Sequence, residues 1–264
     1  GIPTSRLANL SVRTALAASQ NLIVGIVVSG GPRPMLVRAV GPALANFGVG
    51  SAMVDPQLEL FEGSTRVLTN DNWTANLAPT FASVGAFPLT VGSRDAAFVP
   101  TVNGARSIVA RGTGAGVVLV ETYDTGTGNS PRLVNVSARN RVGTGDDLLI
   151  AGFNLTGTGP KQVLIRAAGP ALQGLGVTGF LADPRLEVTS AAGVRLAEND
   201  NWPANLAPVF ATVGAFAFAT NSRDAALVAL LPPGSYTVQV RGAGDTTGEA
   251  VVELYEIADT VTVR

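Results

Sequence analysis

The chain has 264 residues, of which 46% are hydrophobic and 14% charged, and its net charge is −1. This length accommodates two ordinary domains, each with its own core, and the composition is far from that of disordered chains. The near-neutral charge provides no basic surface for a phosphate backbone, which argues against nucleic acid as a partner. No stretch reaches the roughly 20 apolar residues that a membrane span requires.

The sequence contains neither cysteine nor histidine. Disulfides, thiolate nucleophiles, the usual zinc and haem sites and any triad with a histidine base are therefore excluded. A metal ion in this protein would have to be a hard cation bound by oxygen atoms. We assign no catalytic residue and predict that the chain is not an enzyme.

Short β-branched runs bounded by glycine and proline follow one another along the first half of the chain. Residues 6–13 alternate in the manner of a strand, and further strands are predicted at residues 22–28, 35–40 and 117–120. Helical turns are predicted only at residues 41–47 and 73–84 and at their counterparts in the second half. Strands joined by turns, without α/β alternation, are typical of a sandwich or jelly roll.

The second half of the chain repeats the first. A small, polar segment at residues 124–131 is the predicted linker, and a strand is predicted at residues 235–240, after a Pro-Pro-Gly turn. The matched segments are residues 6–13 with 132–139, 36–44 with 164–172, 70–73 with 199–202, 93–97 with 222–226 and 120–123 with 252–255. We therefore predict an all-β protein with two tandem homologous β-sandwich (jelly-roll-like) domains, residues 1–128 and 129–264.

The second copy contains Asp-Pro-Arg-Leu-Glu-Val at residues 183–188, Glu-Asn-Asp at 198–200 and Pro-Pro-Gly-Ser-Tyr at 232–236. This order resembles the pre-peptidase C-terminal type of β-sandwich domain, an accessory module of secreted bacterial proteins. The Arg-Leu-x-Asn-x-Ser-x-Arg and Leu-Ile-Arg-x-x-Gly-Pro-x-Leu segments also look like tandem repeats of large bacterial surface proteins. The resemblance covers nearly the whole chain and implies a secreted, extracellular or cell-surface location.

Calcium-binding members of the pre-peptidase type hold the ion with acidic residues of this pattern. By position, the candidate metal ligands are Asp55, Asp71, Asp95, Asp183, Asp200 and Asp224. Aspartate and asparagine on turns supply the oxygen atoms that calcium, the one candidate cofactor, prefers. The alternative is structural, because Asp-Pro and Asn-Asp-Asn segments start turns and the Arg94-Asp95 pair could be a local salt bridge.

Two kinds of large side chain have a binding and a structural interpretation. Trp73 and Trp202 are candidate binding residues that could stack on the sugar rings of a polysaccharide, or they fill the core. Arg38 and Arg166 lie inside apolar strands and could recognise a carboxylate ligand. We favour a buried ion pair of each arginine with a carboxylate of its own domain. The candidate partners are Glu59 or Glu121 in the first copy and Glu187 or Glu253 in the second.

These observations favour a non-catalytic extracellular structural protein, a subunit or segment of a surface assembly or filament. Alternating segments at residues 6–13 and 260–264 predict self-association through terminal strands, which would build head-to-tail contacts. Deletion of residues 1–13 is expected to abolish assembly without unfolding the second domain. The alternative is a carbohydrate- or surface-binding accessory module of a larger secreted enzyme or adhesin. A glycosidase with paired carboxylates such as Glu59 and Glu121 is disfavoured, because acids at duplicated positions are better explained by architecture.

Overall fold

The computed structural model describes residues 4–145 and 147–259, and within them the protein is all-β, as predicted. The strands of the first copy are β1 (Arg6–Leu16), β2 (Leu22–Val40), β3 (Pro56–Glu62), β4 (Thr65–Asn70), β5 (Ala96–Phe98), β6 (Thr101–Gly112) and β7 (Gly116–Asp124). Those of the second copy are β8 (Arg132–Val142), β9 (Leu149–Thr156), β10 (Lys161–Ala168), β11 (Pro184–Ser190), β12 (Arg195–Asn199), β13 (Ala225–Leu231), β14 (Gly234–Gly242) and β15 (Gly248–Glu256). The segment at residues 260–264 lies outside the described residues.

With one exception, the helical turns of the described residues lie where the sequence predicts them; the exception is the 3-10 turn Ala243–Asp245, which contains Gly244 with a positive φ. The α-helices are α1 (Ala78–Ser83) and α2 (Ala207–Val213), and the 3-10 turns are Pro42–Phe47, Ala75–Leu77, Pro170–Leu175, Ala204–Leu206 and Ala243–Asp245. Proline in the first turn of both α-helices and of both six-residue 3-10 turns fixes the backbone for helix entry. None of the helices in the described part of the chain is both long and apolar enough to cross a membrane.

Contacts divide the chain into two compact units. The first unit comprises residues 8–138. The second comprises residues 4–7 and the described residues from 139 onward. These boundaries differ from the predicted 1–128 and 129–264, because the start of β1 belongs to the second unit and the start of β8 to the first.

The first unit is organised around β2, a strand of 19 residues. Its first half pairs with β6, β6 with β3 and β3 with β4, all antiparallel. Its second half pairs with β5 and β7, and β7 pairs with β1, again antiparallel. The pairing register of β2 shifts between Val28 and Arg33, at the Gly30-Gly31 pair. The strand therefore leaves one group of strands and enters another.

The second unit has the same pairing scheme, with the long strand replaced by β9 and β10. Strand β9 pairs with β14, β14 with β11 and β11 with β12, while β10 pairs with β13 and β15. All of these pairs are antiparallel. The segment Gly-Thr-Gly-Pro at residues 157–160 separates the two strands, at the place where β2 changes its register in the first unit.

Each unit has an aromatic core next to its central strand. In the first unit Trp73 and Phe81 pack with Leu36, Leu44 and Tyr123. In the second unit the equivalent cluster contains Leu164, Leu172, Trp202, Phe210, Phe218 and Tyr255. The repeat therefore extends from sequence to packing.

Candidate functional site

A buried ion pair lies at the centre of the first unit. Arg38 is fully buried, and its Nε and Nη2 donate to Oε2 of Glu121 at 2.9 and 2.6 Å. Its Nη1 donates to the carbonyl of Phe87 at 2.6 Å, and the guanidinium carbon lies 4.5 Å from the Phe87 ring centroid. The Tyr123 hydroxyl donates to the other carboxylate oxygen, Oε1, at 2.7 Å. Of the two predicted partners, Glu121 is therefore the one that binds Arg38.

The second unit contains the same arrangement. Arg166 is fully buried and contacts Oε2 of Glu253 at 2.6 Å, and its Nη1 donates to the carbonyl of Phe216 at 2.6 Å. The Tyr255 hydroxyl donates to Oε1 of Glu253 at 2.8 Å. Three phenylalanine rings lie within 4.6 Å of the guanidinium carbon. Both arginines are thus occupied inside their own units, which favours the structural interpretation over recognition of a ligand.

Asp95 and Asp224, two of the candidate metal ligands, anchor backbone turns. Asp95 is fully buried, and its Oδ1 accepts hydrogen bonds from the backbone N–H groups of Gly41 and Ala43 at 2.8 and 3.3 Å. Its Oδ2 accepts from the Ser93 hydroxyl at 2.6 Å. Asp224 repeats these three bonds in the second unit. Each carboxylate binds the start of the Gly-Pro turn.

The other four acids are less buried than Asp95 and Asp224. Asp55 and Asp183 form ion pairs with Arg94 and Arg223, at 3.5 and 2.9 Å. Asp71 and Asp200 are exposed, and each accepts a hydrogen bond from the side-chain amide of the next asparagine. Within the described residues no three acidic side chains come together as a metal cluster. Calcium binding stays a prediction, to which this geometry adds no support.

Trp73 and Trp202 are core residues in this structure. They are 6% and 8% exposed, so neither offers an open ring face for stacking on a sugar. Trp73 Nε1 donates to the Thr90 carbonyl and the Ser93 hydroxyl at 3.2 and 3.1 Å, and Trp202 makes the equivalent bonds. The apolar pocket beside Trp202 has a volume of about 110 Å³, below the roughly 300 Å³ of small ligand sites. The structural interpretation accounts for both tryptophans.

Glu59 does not pair with Glu121. It accepts hydrogen bonds from Arg66, at 2.7 Å, and from Arg111. Glu121 is bound to Arg38 and Tyr123, as described above. Each of the two carboxylates is thus engaged in its own ion pair with arginine.

Two further sites, which the sequence reasoning missed, hold the segments that begin β1 and β8. In the first anchor site, formed by Gly30, Gly31, Arg33 and Asp124, the backbone N–H of Leu133 donates to Asp124 Oδ2 at 3.5 Å. Arg33, which is buried, binds Asp124 Oδ1 at 2.5 Å and the carbonyls of Thr127 and Gly128 at 2.6 and 3.2 Å. Segment 130–133 is the occupant of this site.

The second anchor site is the counterpart in the second unit, formed by Gly157, Gly159, Lys161 and Glu256. Its occupant is segment 4–7: the backbone N–H of Leu7 donates to Glu256 Oε1 at 2.5 Å, and the Ser5 hydroxyl donates to the Gly159 carbonyl. Lys161 is fully buried and binds Asp259 at 3.0 Å. The sequence contains a sign of these two sites, because the repeat preserves a positive and a negative charge there: Arg33 aligns with Lys161, and Asp124 aligns with Glu256.

No family model matches the chain, and no curated protein matches it. Among solved structures it is similar to the major capsid protein P2 of bacteriophage PM2, with 12% identity and a TM-score of 0.23 over 97% of this chain and 99% of that chain. It is also similar to a DUF4785 family protein from Legionella pneumophila, with 10% identity and a TM-score of 0.25 over 97% and 78% of the two chains. TM-scores this low carry no argument. The resemblance to pre-peptidase C-terminal domains stays a prediction.

We predict that Asp95→Asn lowers the free energy of unfolding by about 2 kcal/mol, because three hydrogen bonds lose their charged acceptor. The matched control is Asp71→Asn, an exposed position where the change should stay within about 0.5 kcal/mol. Urea unfolding followed by tryptophan fluorescence measures both, with added calcium and with a chelator. The expected difference between the two variants is the same in both solutions; a loss at Asp95 that appears only with calcium would contradict the structural role.

A second prediction concerns alkaline pH. Burial, and then the neighbouring Glu121 and Glu253 carboxylates, raise the pKa values of Tyr123 and Tyr255 well above their ordinary value. Above roughly pH 10 the unfolded chain loses these phenol protons while the folded chain keeps them. Unfolding is then favoured, so the free energy of unfolding falls as the pH rises.

The double variant Tyr123→Phe/Tyr255→Phe should lose most of this pH dependence, at a cost of about 1 kcal/mol per lost hydrogen bond at neutral pH. Urea unfolding between neutral pH and about pH 11 measures the slope. Tyr236→Phe is the comparison: burial alone raises the pKa of Tyr236, whose hydroxyl donates to the Pro232 carbonyl rather than to a carboxylate, so this variant should keep most of the fall. An equally steep fall in the double variant would refute this assignment.

Proposed function

We propose that the chain is a non-catalytic extracellular structural protein, a subunit or segment of a surface assembly or filament built by β-strand-mediated head-to-tail contacts. In this proposal the two copies are tandem β-sandwich, jelly-roll-like repeats. The location at the surface of a bacterial cell, or outside it, follows from the resemblance to repeats of secreted and surface proteins.

The observation that carries the proposal is the pair of anchor sites. Each compact unit includes a short segment from the other copy, bound through its backbone: Leu133 to Asp124 in the first unit and Leu7 to Glu256 in the second. A segment recognised through its backbone contributes affinity with few demands on side-chain identity, which is how added strands join proteins together. The repeat therefore already contains the kind of contact that a head-to-tail assembly would use.

The proposal that the chain is not an enzyme rests on how the charged groups of the two units are used. The buried arginines bind Glu121 and Glu253, and Asp95 and Asp224 hold turns. Charges engaged in this way stabilise architecture and are not free to transfer protons or attack a substrate. The burial of both tryptophans likewise leaves the polysaccharide-binding alternative without a specific observation in its favour.

The proposal predicts that the chain forms head-to-tail oligomers as its concentration increases. Sedimentation velocity across a hundredfold range of concentration, with negative-stain microscopy of the most concentrated sample, measures this directly. A parallel measurement with a calcium chelator shows whether calcium contributes to assembly. A chain that stays monomeric at every concentration, without fibres, would contradict the proposed function.

A further inference from the structure

We infer that the second anchor site is an interaction site for a second copy of this chain, whose segment 4–7 replaces the segment that the site holds within one molecule. This inference rests on the proposed function and specifies its contact. It commits to one partner, the same segment of another molecule.

The first argument is that the two anchor sites bind their occupants in the same way. Segments 4–7 and 130–133 are equivalent in the repeat, and each places a leucine N–H on an acid at the end of a strand. Asp124 and Glu256 provide that acid. This backbone contact is therefore a property of the repeat, and an equivalent segment that reaches the site can form it.

The second argument is the shape of each site, which glycine keeps open. At Gly30 a side chain would lie 2.7 Å from the Ser130 hydroxyl, and at Gly157 it would lie 2.8 Å from the Cα of Ser5. Both glycines also have positive φ values, of 90° and 112°. The backbones of occupant and site approach too closely for a Cβ atom, so both sites are built to receive an extended backbone.

The third argument is the different route by which each occupant arrives. In the first anchor site Arg33 binds the carbonyls of Thr127 and Gly128, so the loop that it holds leads directly into segment 130–133. In the second anchor site the equivalent Lys161 holds Asp259, while segment 4–7 arrives through β1. Residues 9–16 of β1 pair with β7 in the first unit. Segment 4–7, which we call the arm, thus reaches the second anchor site from β1 and not from the loop that follows β15.

An arm of this kind exchanges between molecules at little cost. The bonds that the arm forms in its own chain and in a second chain are the same, so the balance depends on concentration and on the entropy of association. Exchange in one direction, repeated from molecule to molecule, produces a head-to-tail chain. Mutual exchange between two molecules produces a closed dimer.

The test uses the absence of cysteine from the sequence. The hydroxyls of Thr4 and Thr158 are 3.0 Å apart, and the Thr4 N–H donates to the Thr158 carbonyl at 3.0 Å, so the two side chains are direct neighbours. Single variants Thr4→Cys and Thr158→Cys of the full chain are purified separately and mixed in a glutathione redox buffer. The control mixture pairs Thr4→Cys with Ser83→Cys, an exposed position on α1.

The expected result is a disulfide-linked heterodimer that exceeds the control mixture by at least about tenfold, because a bound segment has an effective concentration far above that of the bulk. An equal yield in the two mixtures would overturn the inference. The double variant Thr4→Cys/Thr158→Cys provides an independent reading. Once oxidised it should be an internally linked monomer that no longer associates, and it should associate again after reduction.

Failure of this inference and failure of the proposed function give different results. Oligomers that form without the Thr4–Thr158 link would overturn the inference and leave the proposed function standing on another contact. Selective cross-linking that yields closed dimers alone, with no longer chains in sedimentation, would support the inference and contradict the filament.

Discussion

The buried pair of Arg38 and Glu121 is the interaction on which the first unit depends, and Arg166 and Glu253 have the same place in the second. The two members of each pair are directly opposite each other in neighbouring antiparallel strands. A slip of one residue in either strand would separate the charges and place a side chain on the wrong face. Removal of one partner leaves an uncompensated buried charge, at a cost of about 3–5 kcal/mol. The pair therefore fixes the register of the central strands.

The aromatic core and the loops are organised around these charges. The guanidinium of Arg38 holds the Phe87 carbonyl and lies against the Phe81 and Phe87 rings. Trp73 packs on Phe81, and its indole reaches the serine that donates to Asp95. Asp95 in turn binds the Gly-Pro turn that follows β2. One connected network thus explains why the arginine, the tryptophan and the aspartate all recur in the second copy.

The sequence predicted the class of the fold and all but one of its helical turns, because glycine, proline and β-branched runs act locally. The pairing of Arg38 with Glu121 rather than Glu59 depends on which strands are neighbours, and this is not a local property. The anchor sites were missed for a related reason: an alignment of the two copies identifies equivalent segments but not the unit into which each segment packs. Since residues 4–7 belong to the second unit, deletion of residues 1–13 would remove part of that unit as well, which differs from the outcome that the sequence predicts.

The most direct test of this account is a double-mutant cycle on Arg38 and Glu121, with Arg38→Met, Glu121→Leu and both together in a Trp202→Phe background. Trp73 then reports urea unfolding of the first unit. The account predicts that each single variant loses about 3–5 kcal/mol and that the double variant loses clearly less than the sum, because apolar replacements relieve the unpaired charge. Single variants with near-native stability, or strictly additive losses, would contradict the claim that this pair organises the fold.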